Sequence, residues 1–158
     1  MGVFKRLGAI AFAGAILLTF TPATARASAQ SDVMAAVHQF VDGFNKGDIK
    51  SALAACAPSA VIIDDFPPHE WSGAGACATW VAAYGADANK QGITDGVVTL
   101  ATPWRVDVTS DRAYAVIPAT YAYKQHGKPV SEAGAVITIA LQKLPAGWRI
   151  TGWAWSRH

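Results

Sequence analysis

The sequence predicts an α+β domain in which helices pack on one face of an antiparallel sheet. Apolar residues from Val33 to Phe44 recur at helical spacing, and helical patterns dominate as far as Gly92. Beyond that point five β-rich segments follow one another, separated by short turn signals. Helices first and a meander after is the order of an α+β chain, not of alternating βαβ units.

Ser31 or Asp32 supplies a helix cap, and Val33, Val37, Phe40, Val41 and Phe44 form one apolar stripe behind it. Asn45-Lys46-Gly47-Asp48 ends this helix and starts a short second one, "IKSALAACA", which Pro58 is expected to stop. "AVIID" reads as a strand from its β-branched residues. It runs into "IIDDFPPHEW" (62–71), where two aspartates close the apolar run and a double proline stiffens the loop presenting His69. Ser72 to Asn89 reads as a third helix with Trp80, Val81 and Tyr84 on one face, closed by Gln91-Gly92. The strands are then "GVVTLATP", "WRVDVTS", "AYAVIPATYAYK", "GAVITIALQK" and "WRITGWAWS". "TSDR" (109–112), "QHGKP" (125–129) and "LPAG" (144–147) are hairpin connections.

Residues 1–27 read as a secretory signal peptide. Lys5 and Arg6 precede the apolar run "LGAIAFAGAILLTF" (7–20), which is short for a membrane span, and "ARA" (25–27) or "ASA" (27–29) offers a cleavage site. The mature chain is expected to begin at Ser28 or Gln30, leaving residues 28–158 as a single domain with one core. This implies an exported protein, periplasmic or secreted by a bacterium, with no membrane contact after cleavage. Removal of residues 1–27 takes away Lys5, Arg6 and Arg26 and no acid. Thirteen basic residues thus fall to ten against eleven acidic ones, a net charge of −1. There is no Lys/Arg cluster, which argues against nucleic acid as a partner. Cys56 and Cys77 are the only cysteines. Export permits a disulfide candidate between them; two buried thiols are the alternative.

The stretches "FVDGFNKGD" (40–48), "APSAVIIDDFPPHEWSGAGACATW" (57–80) and "GWRITGWAW" (147–155) resemble the nuclear transport factor 2-like superfamily, in particular its SnoaL-like, ketosteroid isomerase-like branch. The resemblance covers nearly all of residues 28–158. It implies a curved antiparallel sheet wrapped around about three N-terminal helices, enclosing a conical pocket whose mouth lies near the end of the first strand. It also implies that Asp64 stands where the isomerases carry their proton-shuttling base, with Asp65 pointing the other way because strand side chains alternate. The family's first-helix tyrosine is replaced by Phe40, and its later-strand acid falls near Ile139. Both oxyanion donors are therefore missing, which argues against ketosteroid isomerase activity.

Asp64 and His69 are the catalytic candidates. A carboxylate at a pocket mouth can act as a base if burial raises its pKa, and an imidazole on a stiff loop can donate or accept a proton. Trp71, Trp80, Tyr84, Tyr121, Tyr123, Trp153 and Trp155, with Asp65, are the ligand-binding candidates, because pockets for small apolar molecules are walled by aromatics with few polar groups. Four dispersed histidines make no metal site, and no glycine-rich phosphate loop follows a strand, so no cofactor is implied. Three functions follow. The first is binding of a small apolar organic molecule. The second is a cofactor-free isomerase, cyclase or hydratase-type lyase with Asp64 as general base. The third is a structural or partner-binding module whose pocket its own side chains fill. "GWRITGWAW" shows apolar residues at both parities, which points to a homodimer through the sheet face.

Overall fold

The computed structural model describes residues 22–157. Residues 1–21, most of the expected signal segment, lie outside them. The elements are α1 (Pro22–Asn45), α2 (Ile49–Ala54), β1 (Cys56–Ile63), β2 (Glu70–Ala74), α3 (Ala76–Gln91), β3 (Ile93–Leu100), β4 (Arg105–Thr109), β5 (Arg112–Gln125), β6 (Lys128–Leu144) and β7 (Gly147–Ser156). The sheet order is β2-β1-β7-β6-β5-β3, with β4 also paired to β5. The apolar stripe of α1 buries Val33, Val37, Phe40 and Val41 against Ile62, Ile117, Ile139, Leu141, Ile150 and Trp153 of the sheet. Asn45, at the end of α1, donates to Val98 O and accepts from Val98 N, each at 2.8 Å, which ties that helix end to β3.

The α+β class holds, but the wrapped antiparallel sheet with a conical pocket does not. The sheet is mixed, because β1 runs parallel to β7 while every other pair is antiparallel. It follows an open path from β2 to β3 and does not curl closed, so it encloses no cone. The three N-terminal helices are present as expected: α1 and α2 precede β1, and α3 follows the β1–β2 hairpin. The physical reason is that β1 and β7 are far apart in sequence. No tight turn joins them, so nothing forces the antiparallel direction that hairpins impose.

Three local expectations also change. α1 starts at Pro22 instead of Ser31 or Asp32, since proline suits a first helical turn and the alanine-rich residues after it favour helix. Pro58 lies inside β1 and does not stop a helix; it sits where the β1–β7 register is broken, so its missing N–H costs no ladder bond. Residues 70–74 form β2 instead of the start of α3. Trp71 there pairs with Ile62 across the hairpin, a long-range contact that outweighs the weak local preference of "SGAG".

Two bulges decide which side chains face inward. On β7, Ala140 pairs with Gly152 while Leu141 pairs with Ile150, which leaves Thr151 as an extra residue. Trp148 and Ile150 before it, and Trp153 after it, are therefore all buried on the same side of the sheet. The mixed parity of "GWRITGWAW" reflects this bulge and does not put tryptophans on both faces, so that pattern no longer argues for a homodimer. On β6, Thr120 of β5 stands opposite both Ala133 and Gly134, which turns Glu132 inward although Ala135, Ile137, Ile139 and Leu141 occupy the other parity.

Gly152 is required where β7 meets β1. A Cβ there would lie 2.8 Å from the Val61 carbonyl oxygen, a backbone atom with little freedom to retreat. Gly152→Ala is expected to cost about 1–3 kcal/mol in a urea unfolding experiment, the usual size of an overpacking strain. A loss below the error of that experiment would show that the two strands can part at no cost.

Candidate functional site

β1 positions the central group. Ala60 and Ile62 face the core, and the same alternation carries Asp64 inward at the strand's end. Asp64 is 9 % exposed. One carboxylate oxygen accepts from Trp80 Nε1 at 2.8 Å, and the other accepts from the Asp65 backbone N–H at 2.8 Å. Burial outweighs these two stabilising bonds and pushes the pKa of Asp64 up to about 6 from an ordinary 3.8. The carboxyl is thus poised near neutrality, the range in which a side chain can both take and return a proton.

The loop that holds Asp64 is closed on itself. Asp64 N–H donates to His69 O at 3.1 Å, His69 N–H donates to Phe66 O at 3.0 Å, and the His69 ring Nδ1 lies 3.2 Å from Asp64 O. The Cys56–Cys77 bridge, with Cα atoms 6.6 Å apart, joins the start of β1 to the first turn of α3. Trp80 follows one turn later on α3, so the bridge holds its indole and the Asp64 carboxylate in register.

A cleft of about 290 Å³ lies between α1, α3 and one end of the sheet, with Asp64 in its wall. Its rings form a continuous cluster: Trp80 and Trp153 meet edge to face at 4.7 Å, Phe44 lies 5.5 Å from Trp80, and Phe44 meets Tyr84 edge-on at 5.0 Å. The Tyr84 and Tyr121 hydroxyls are hydrogen-bonded to each other, α3 to β5. Burial raises the pKa of both, so both stay protonated at neutral pH, one hydroxyl donating to the other. Gly96 makes their meeting possible, since a Cβ there would stand 2.6 Å from the Tyr121 hydroxyl and 3.0 Å from that of Tyr84. At the rim, Arg157 pairs with both Asp65 and Glu132, and Tyr123 donates to Glu132 at 2.8 Å.

Of the sequence-derived candidates, Asp64, Asp65, Trp80, Tyr84, Tyr121, Tyr123, Trp153 and Trp155 line this cleft. His69 and Trp71 do not. The His69 side chain is exposed and serves the loop, and Trp71 is buried behind the wall, where its ring lies 4.9 Å from that of Phe66, a lining residue. The indole nitrogen of Trp153 is fully buried without a partner, so that residue offers the cleft its ring and not its N–H. Phe66, Glu132, Asp87 and Arg157 line the cleft and were not anticipated. The inward turn of Glu132 depends on the β6 bulge, which leaves no mark in the hydrophobic pattern. Among the described residues no group of three or more His, Cys, Asp or Glu is placed to hold a metal ion.

No protein-family model and no curated protein matches the chain in sequence. Solved structures do match in fold. A nuclear transport factor 2-like superfamily protein from Salmonella enterica serovar Typhimurium superposes with a TM-score of 0.69 at 14% identity, over 83% of this chain and 92% of that one. An NTF2-like protein with a cystatin-like fold from Novosphingobium aromaticivorans gives 0.68 at 17%, over 90% of each chain. A ketosteroid isomerase-like protein from Erwinia carotovora atroseptica gives 0.64 at 17%, over 80% and 94%. The chain thus has the nuclear transport factor 2-like fold.

Proposed function

We propose that this protein binds a small, largely apolar organic molecule in the cleft between α3 and the sheet. The observation that carries the proposal is the cleft's composition: about 290 Å³ walled by an aromatic cluster, with a few polar groups set in it, namely Asp64, the tyrosine pair, Asp87 with Gln91, and the Asp65, Glu132 and Arg157 rim. Small-molecule sites run from roughly 300 Å³ upward, so the space suits a body of one or two rings. Open space of this size also argues against a module whose interior is filled by its own side chains. Trp80, Trp153 and Trp155 line the cleft, so binding is expected to change tryptophan fluorescence saturably as a neutral naphthyl compound is added. The change should be lost in Ala88→Phe, which adds a ring to the wall. An identical response in both proteins would place the binding elsewhere.

A second reading is favoured by Asp64. A carboxyl with a pKa of about 6 facing an apolar cleft is suited to general-base work, and the Tyr84–Tyr121 pair could donate to an oxygen on which charge develops. These donors come from α3 and β5, not from the positions of Phe40 and Ile139. Such an enzyme would be an isomerase, cyclase or hydratase-type lyase. Its mark is a turnover rate that rises with pH through about 6 and is lost in Asp64→Asn. Export is supported by the Cys56–Cys77 bridge, since such bonds persist in oxidising compartments. The mass of the mature protein, lacking residues 1–27 or 1–29, would check it.

A further inference from the structure

We infer that the molecule this cleft selects is a cation, an organic amine or quaternary ammonium carried on an apolar body of one or two rings. This rests on the reading of the cleft as a ligand site and names what the site selects.

The charges of the wall are unbalanced. Asp64, Asp65, Asp87 and Glu132 line the cleft, and among the described residues Arg157 is the one basic residue that does so. That guanidinium is shared between Asp65 and Glu132, so one positive charge answers two negative ones. Asp87, on α3 one turn beyond Tyr84, is bonded to a neutral partner, the Gln91 side-chain amide. The wall therefore keeps excess negative charge even when Asp64 is protonated. The nearest lysine on β5, Lys124, takes the opposite parity to Tyr121 and Tyr123 and pairs with Asp95 at 2.9 Å. It does not line this cleft.

The rings reinforce the same preference. Phe40, Phe44, Trp80, Tyr84, Trp153 and Trp155 line the cleft, and the negative face of an aromatic ring attracts a cationic head, tryptophan most strongly. Low-dielectric walls focus the field of the carboxylates into the opening instead of letting water screen it. A neutral apolar molecule would use the rings and leave the carboxylates without a role. An anion would meet carboxylates both at the rim and at Asp64.

The test uses three probes of one shape, naphthylmethylammonium, naphthylmethanol and naphthoate, titrated into the whole protein by calorimetry. The ammonium is expected to bind at least about tenfold more tightly than the alcohol, and the carboxylate more weakly than either. The ammonium's advantage should shrink severalfold in Asp87→Asn, and also as salt rises from about 0.05 to about 0.5 M. Equal affinity for ammonium and alcohol, or tightest binding of the carboxylate, would overturn cation selection and leave the apolar site standing. Binding of none of the three would remove the ligand-site reading and this inference with it.

Discussion

Asp64→Asn is expected to gain about 2 kcal/mol of stability on the wild type as the pH rises from about 4 to about 8. The sign follows from a pKa raised from 3.8 to about 6 on folding. Between those values the folded protein holds a proton that the unfolded chain has released. Asp64 thus contributes stability that is fully present below about 3.8 and is lost as the pH rises through about 6. The asparagine cannot ionise and escapes that loss. It also cannot accept from both Trp80 Nε1 and the Asp65 N–H, but this penalty is the same at both pH values and cancels in the comparison. Urea unfolding of both proteins at the two pH values measures the difference. A gap that does not change with pH would mean that Asp64 is ionised in the folded protein at an ordinary pKa, which would also weaken the general-base reading.

Removal of the Cys56–Cys77 bridge in the double variant Cys56→Ala, Cys77→Ala is expected to cost about 3 kcal/mol, from the chain entropy of a loop spanning 21 residues. For a domain of this size that corresponds to a fall in Tm on the order of 10 °C. The loop contains β1, the Asp64 turn and β2, and its far end is α3, so the variant should also loosen the Asp64–Trp80 hydrogen bond. Thermal unfolding with a calorimetric readout, beside the oxidised wild type with its bridge intact, checks this. A change in Tm within experimental error would show that hairpin and helix stay docked through packing alone.

Much of the site was legible in the sequence because it lies on regular elements. The helical period of Val33 to Phe44 gave the buried stripe of α1, and the strand period through Ile62 carried Asp64 inward. The hairpin turns around Ser110 and His126 followed from local chemistry, and both residues do adopt positive φ. What was not legible depends on long-range pairing. β2 exists because Trp71 meets Ile62 across a hairpin, and the parallel β1–β7 pair joins strands from opposite ends of the chain. The bulges at Thr151 and at Ala133–Gly134 invert the parity that side-chain assignment relies on, which misplaced part of β7 and hid Glu132. The Tyr84–Tyr121 pair depends on a glycine on a third element, Gly96, a coincidence that no spacing rule along the chain encodes. His69 looked chemical because two prolines precede it, yet its backbone and ring serve the turn that holds Asp64.

Ligand occupancy is tested most directly by native mass spectrometry of the protein purified from its own host, recorded before and after denaturation. The expected result is a folded protein heavier than its chain by one small organic molecule, which is released on unfolding. A bare chain from host material, and again after incubation with an excess of naphthyl-sized amines and alcohols, would contradict the assignment of the aromatic cleft as a binding site.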